Sequence, residues 1–140
     1  MGRDAPGLTP RDYRRLAEFR FLLRRFLAFS EAAATEAGLT PRQHQALLAI
    51  KGAPEGTAPT IGHLAERLGI RPHSAVELAD RLEQAGLVRR AHDQADRRRV
   101  VLTLTEDAER HLAALSAEHL RELRRLRPSL LAILTHADTQ

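Results

Sequence analysis

Residues 60–104 read TIGHLAERLGIRPHSAVELADRLEQAGLVRRAHDQADRRRVVLTL, and this stretch decides the fold. Apolar residues at helical spacing follow Thr60 as far as Gly69, which predicts a short capped helix. After a three-residue turn, Pro72 begins a second predicted helix, over residues 72–85. Two helices joined by a short turn that contains a glycine are typical of a helix-turn-helix.

A hairpin is predicted directly after the second helix. Alternating and β-branched residues at 87–90 and 99–104 predict two strands, and a polar stretch separates them. We therefore expect a mainly α fold with a small β-hairpin wing. In this fold the winged helix-turn-helix covers residues 40–104, and the wing covers 87–104.

The second predicted helix has one polar and one apolar face. The apolar face is predicted to hold Ala75, Val76, Leu78, Ala79, Leu82 and Ala85. On the polar face, His73 and Ser74 lie in the first turn, where a recognition helix directs its side chains at base edges in the major groove. Arg81 adds a further donor, while Glu77 either accepts from a cytosine amino group or repels phosphate and so restricts register. An ordinary surface helix has the same two faces, so the donor-rich residue set is what favours DNA.

The predicted wing concentrates positive charge. Within residues 89–99, five arginines stand against Asp93 and Asp96. Arginine suits the narrow minor groove, where the negative potential of DNA is focused. We expect at least one of the tip arginines to contact DNA, and we expect Asp96 to orient Arg98 through a bidentate contact. The tip arginines are Arg97, Arg98 and Arg99.

Two long helices are predicted on either side, at 9–37 and 106–136, with Pro128 bending or restarting the second. The first carries apolar side chains on more than one side, which indicates two neighbours, one of them a second chain. We expect both helices to form dimer contacts. The predicted dimer residues are Leu16, Phe19, Leu23, Leu123, Leu126 and Leu130.

Composition excludes several function classes. The 140 residues carry 22 Lys and Arg against 18 Asp and Glu, a net charge of +4, and every basic residue except Lys51 is arginine. Without cysteine there is no disulfide framework, thiol nucleophile, thiol redox sensor or cysteine-based zinc site. No uncharged apolar run approaches the ~18 residues of a membrane span. We expect one domain, residues 1–140, located in the cytoplasm, with no cofactor.

At this point the chain resembles the MarR-type (multiple antibiotic resistance regulator) transcriptional regulators, from Thr9 to Leu134. The wing matches best, with Asp96-Arg97-Arg98 followed by Val100-Val101-Leu102, although Gln94 stands where the family often has proline. The other matching segments are Gly38-Leu39-Thr40, residues 61–68, His73-Ser74-Ala75-Val76, Asp80-Arg81-Leu82-Glu83 and Gly86-Leu87-Val88.

The resemblance implies a homodimer joined by its first and last helices, bound to a palindromic operator and released by a small phenolic or other organic ligand. It implies that Arg98 enters the minor groove, steadied by Asp96. Two-fold symmetry would place the half-sites one helical turn, ~34 Å, apart. We therefore expect a dimeric transcriptional regulator that binds double-stranded DNA, most simply a repressor. The expected DNA-binding residues are Thr60, Arg71, His73, Ser74, Glu77, Arg81, Asp96, Arg97, Arg98 and Arg99.

Other interpretations stay open at this level. The aromatic stripe of the first helix is core or dimer surface, or else part of an effector pocket with Phe26, Phe29 and His44. A winged-helix module that binds proteins without a specific operator is the alternative function. Catalysis by His73 and Ser74 lacks an orienting acid. The histidines lack metal-ligand spacing, so we expect no metal site.

Overall fold

Five helices and one hairpin make up residues 7–135, the part of the chain that the structure, a computed structural model, describes. In chain order they are α1 (Pro10–Glu36), α2 (Pro41–Lys51), α3 (Ile61–Leu68), α4 (Pro72–Gln84), β1 (Val88–His92), β2 (Val100–Leu104) and α5 (Glu106–Thr135). The predicted mainly α fold with a small hairpin wing is confirmed.

Local capping residues begin and end the helices as their positions in the sequence predict. Thr40 and Gln43 form a capping box, in which the Thr40 hydroxyl accepts from the Gln43 amide at 3.1 Å and the Gln43 side chain accepts from the Thr40 amide at 2.9 Å. The hydroxyl of Thr60 accepts from the His63 amide at 3.1 Å and so caps α3. Gly69 ends α3 with a φ of +64°, a left-handed conformation that glycine adopts at little cost.

The described chain divides into two compact units. The winged unit is residues 33–116, and the helical unit combines the chain up to Ala32 with the chain from Ala117 onward. In the winged unit, the second to fourth helices and the hairpin share one hydrophobic core. The largest of the almost fully buried side chains there are Leu47, Leu64, Leu82, Leu102 and Val88. Because α4 and the base of the hairpin pack against this shared core, the core holds the two elements together.

The hairpin is antiparallel and runs in register from Val88 opposite Leu104 to His92 opposite Val100. The first strand therefore begins and ends later than the predicted 87–90. Leu87 instead closes the end of α4, because its amide donates to the carbonyl of Leu82 at 2.9 Å. The strand extends to His92 because backbone pairing with β2 needs no apolar side chain.

The last helix runs without interruption through Pro128. Of the two predicted effects of this proline, a bend or a restart, the restart is therefore excluded. Proline removes one backbone donor, which leaves the carbonyl four residues earlier, that of Arg124, without its helical partner. Both residues are exposed, so water can satisfy that carbonyl.

Candidate nucleic-acid interface

The fourth helix buries one narrow side and exposes the rest. Ala75, Leu78, Ala79 and Leu82 are buried against the core of the winged unit. Val76 is 41% exposed, and Ala85 is exposed as well, so the buried side of α4 is narrower than the predicted apolar face. The neighbouring elements cover only the central arc of α4, and both residues lie at its edges.

The predicted polar residues at the start of α4 are exposed. His73, Ser74, Glu77 and Arg81 all lie on the solvent side of the helix. His73 and Glu77 are one turn apart, and the Nε2 atom of His73 lies 3.2 Å from a carboxylate oxygen of Glu77. Arg81 forms no ion pair with any residue in 7–135. These four side chains therefore present donors and one carboxylate, groups that can form hydrogen bonds with base edges.

The tip of the wing holds Arg98 through Asp96. One carboxylate oxygen accepts from both the amide and Nε of Arg98 at 3.1 Å, and the other accepts from a terminal nitrogen at 3.4 Å. These hydrogen bonds lower the pKa of Asp96 below its ordinary value. The Arg98 side chain is 91% exposed, so Asp96 holds one edge of the guanidinium while the rest of it stays open to solvent. The bidentate contact predicted from the sequence is present.

Backbone hydrogen bonds shape the rest of the tip. Asp93 donates its amide to the Arg99 carbonyl at 2.9 Å, and its carboxylate lies 3.7 Å from the Arg99 guanidinium. His92 contacts the Arg97 carbonyl through Nδ1 at 2.9 Å. The Arg97 side chain forms no ion pair within the described chain, which leaves it available to a partner.

Thr60 and Arg71 stand at the starts of the two helices of the motif. The Thr60 hydroxyl is already used as the cap of α3, and its backbone forms an isolated bridge with Val101. The Thr60 amide donates to the Ala58 carbonyl at 2.8 Å, and the Thr60 carbonyl accepts from the Leu64 amide at 3.0 Å. Contact between Thr60 and DNA would therefore have to share groups that already form hydrogen bonds. Arg71 precedes α4, is exposed and makes no capping hydrogen bond through its side chain.

One contact that the sequence analysis missed joins the wing to α4. Arg90 had been counted as a free charge of the wing, but its guanidinium binds Asp80 at 2.6 Å and Glu83 at 3.2 and 3.3 Å. The sequence does contain a pattern compatible with this contact: Asp80 and Glu83 are three residues apart near the end of a helix, and the strand that carries Arg90 follows. The spacing alone could not show that the strand folds back beside them.

The three predicted effector residues are divided between the two units. In the helical unit, Phe26 and Phe29 meet the ring of His119 edge-on, at centroid distances of 5.8 and 5.3 Å. The Nε2 atom of His119 lies 2.7 Å from the Ser30 hydroxyl, a contact that the sequence analysis did not anticipate. His44 lies in the winged unit and is buried.

Large apolar side chains are exposed mainly in the helical unit. Of thirteen such side chains among the described residues, eleven lie in this unit. Four of the predicted dimer residues are exposed (Leu16, Phe19, Leu23 and Leu123), and Leu126 and Leu130 are half-buried. Leu22 is the buried large apolar residue of α1. Exposed apolar side chains that are concentrated in one part of a molecule mark an interaction site in many proteins.

Within residues 7–135, no helix is long and apolar enough to cross a membrane. No group of three His, Asp or Glu side chains in the same range is placed to hold a metal ion.

Comparison with known proteins agrees with this geometry. A model of the MarR family matches residues 37–99. The uncharacterised HTH-type transcriptional regulator YcgE of Bacillus subtilis (strain 168) is 37% identical over 94 residues, which make up 67% of this chain and 59% of that protein. The alignment thus spans less than two thirds of this curated relative.

Solved structures with a similar fold cover most of the chain. A MarR family protein from Bacillus stearothermophilus gives a TM-score of 0.71 at 25% identity, covering 86% of this chain and 82% of the other. The transcriptional repressor CouR, bound to a 23-mer DNA duplex, gives 0.61 at 27% identity, covering 86% and 89%. CouR from Rhodococcus jostii RHA1 has also been solved with p-coumaroyl-CoA. The helix order, the hairpin and the matched sequence therefore agree: residues 37–99 match the MarR family model, and the chain is similar in fold to solved MarR family proteins.

Proposed function

We propose that the protein is a dimeric, sequence-specific DNA-binding transcriptional regulator that acts as a ligand-responsive repressor. One observation carries the proposal. The winged unit combines an exposed polar surface at the start of α4, formed by His73, Ser74 and Arg81, with an arginine on the wing that Asp96 holds in place. The first surface suits the major groove and the second suits the minor groove. Because chromosomal DNA is the partner, the proposal places the protein in the cytoplasm.

The exposed apolar surface of the helical unit supports a homodimer. Burying this surface against a second copy would remove side chains such as Phe19 and Leu123 from water. Two copies related by a two-fold axis present two wings and two recognition helices, which suits a palindromic operator. In this arrangement the helical unit of each chain forms the dimer, and the winged unit binds DNA.

The experiment is a titration of the protein against a duplex from the region upstream of its own gene, followed by fluorescence anisotropy. A random duplex of equal length is the matched control, and the salt concentration is raised in steps. Specific binding predicts preference for the upstream duplex and a log–log salt slope of about −0.9 for each phosphate neutralised. Equal affinity for both duplexes, or affinity that ignores salt, would refute the proposal and leave the protein-interaction module as the better reading.

The effector part of the proposal rests on the aromatic cluster of the helical unit and on the ligand seen on CouR. We propose that a small organic molecule, bound with the help of Phe26 and Phe29, lowers operator affinity. A screen of small organic molecules, scored by release of the operator duplex, tests this proposal. A true effector must also bind the DNA-free protein more tightly than the complex by the same factor, because coupling between two sites is reciprocal.

A further inference from the structure

Arg90 connects the wing to α4 through all three nitrogens of its guanidinium. One terminal nitrogen lies 2.6 Å from Asp80, while the other terminal nitrogen and Nε lie 3.2 and 3.3 Å from the two carboxylate oxygens of Glu83. The planar fork of arginine makes such an arrangement directional, unlike the point charge of a lysine. We call this group of Arg90, Asp80 and Glu83 the clamp.

We propose that Arg90 is a positioning residue that fixes the angle between the wing and α4, so that the wing can contact the minor groove while α4 contacts the major groove. The inference rests on the proposed function for its consequence in DNA binding. The clamp itself can be tested without DNA.

Core packing alone does not fix the outer part of the hairpin. On the first strand only Val88 is buried, and the four residues that follow it, Arg89 to His92, are exposed. On the side of α3, the Leu102 amide donates to the Pro59 carbonyl at 2.8 Å and so holds the second strand. On the side of α4, the clamp is the contact that joins the exposed part of the first strand to the helix.

The clamp also controls charge beside the proposed DNA surface. Asp80 and Glu83 would otherwise present two carboxylates near the phosphates, and Arg90 reduces their joint charge from −2 to −1. The hydrogen bonds that Arg90 donates to Glu83 raise the pKa of Arg90 above its ordinary value, so the cation persists. Loss of Arg90 could therefore weaken DNA binding through geometry or through charge alone, and the test must separate these two causes.

The geometric arm measures distances by pulsed electron resonance between spin labels on Ser74→Cys and Gln94→Cys. The chain contains no cysteine, so the labels are unique, and dilution into unlabelled protein isolates the distance within one chain. We expect Arg90→Gln to broaden the distance distribution, whereas Arg89→Gln, one position away and without an ion pair in the described chain, leaves it unchanged. An unchanged distribution in Arg90→Gln overturns the proposal whether or not the protein binds DNA.

The DNA arm compares Arg90→Gln with the triple variant Asp80→Asn, Glu83→Gln, Arg90→Gln, which lacks the clamp but carries no charge there. Positioning predicts that both lose operator affinity, by roughly tenfold or more, the size of one lost base contact. Wild-type affinity in the triple variant would show that charge alone matters and would overturn positioning. Arg90→Lys, which keeps the charge and loses the fork, should fall between wild type and Arg90→Gln.

The energetic coupling between Arg90 and Arg98 at the wing tip distinguishes positioning from a general loss of stability. If Arg90 acts by aiming the wing, Arg98→Ala should cost much less affinity in the Arg90→Gln background than in the wild type. Additive losses would contradict the proposal. A wild-type protein with no operator preference would refute the proposed function, whereas the distance measurement would still decide on the clamp.

Discussion

Replacing Arg98 with alanine tests the role of the wing directly. The side chain is 91% exposed, and its partner in the structure is Asp96. Because the substitution removes no buried contact, the free energy of unfolding should change by less than about 0.5 kcal/mol. Any large loss of DNA affinity then reports the DNA contact rather than the fold.

The size of the loss follows from the two-fold assembly. A good arginine contact with a base edge contributes about 1–3 kcal/mol of discrimination. The proposed dimer on a palindrome loses two such contacts, so operator affinity should fall about 30-fold at least and about 20,000-fold at most. If Arg98 also neutralises a phosphate, the salt slope should decrease by about 0.9 for each copy.

The assay is anisotropy titration of a labelled operator duplex at several salt concentrations, with sedimentation confirming an intact dimer. Arg110→Ala is the matched control, because Arg110 is also exposed and paired with an aspartate, Asp107, and its removal changes the net charge equally. We expect the control to bind within about threefold of wild type, since a charge away from the interface is screened by salt. If Arg98→Ala binds as tightly as this control, the minor-groove role is refuted.

Three further predictions concern pH, core packing and assembly. The folded-state pKa of Asp96 is lowered by its contact with Arg98. The stabilisation from this contact is therefore complete above the ordinary aspartate pKa and is lost as pH falls through the lowered value. NMR titration of the Asp96 carboxyl group should show the lowered pKa, and Arg98→Ala should raise it. Leu82 is fully buried, so Leu82→Ala should lower the free energy of unfolding in urea by about 2–5 kcal/mol. The same change at exposed Leu48 is the control, and it should cost under about 1 kcal/mol. Phe19→Asp should convert the dimer to monomer in sedimentation without loss of helix by circular dichroism, and a dimer of unchanged stability would contradict the assigned interface.

Much of the winged unit follows from local signals. The capping residues Thr40 and Thr60 and the left-handed Gly69 set helix boundaries through interactions within a few residues, so the sequence reveals them. The contact between Asp96 and Arg98 was predictable for the same reason, because its partners are two residues apart. The continuous helix through Pro128 was not predictable, because tolerance of the lost hydrogen bond depends on the exposure of the turn before it.

Burial on α4 shows the limit of periodicity. The 3.6-residue repeat places Val76 on the apolar side, yet its side chain is 41% exposed. A helix face is only as wide as the elements that pack on it, and the sequence of one helix does not contain that width. The same limit applies to His44 and Phe26, which a hypothesis grouped together and the structure places in different compact units.

The sequence by itself determined the order of elements, the polar start of α4 and the concentration of arginine on the wing, since caps, periodicity and charge are local properties. Only the tertiary structure decided which of those arginines remain available. Arg90 is bound by Asp80 and Glu83, whereas Arg97 forms no ion pair within residues 7–135. The physical reason is distance: an ion pair depends on the few ångströms between charged groups, and folding, not spacing along the chain, brings a strand arginine beside the end of a helix.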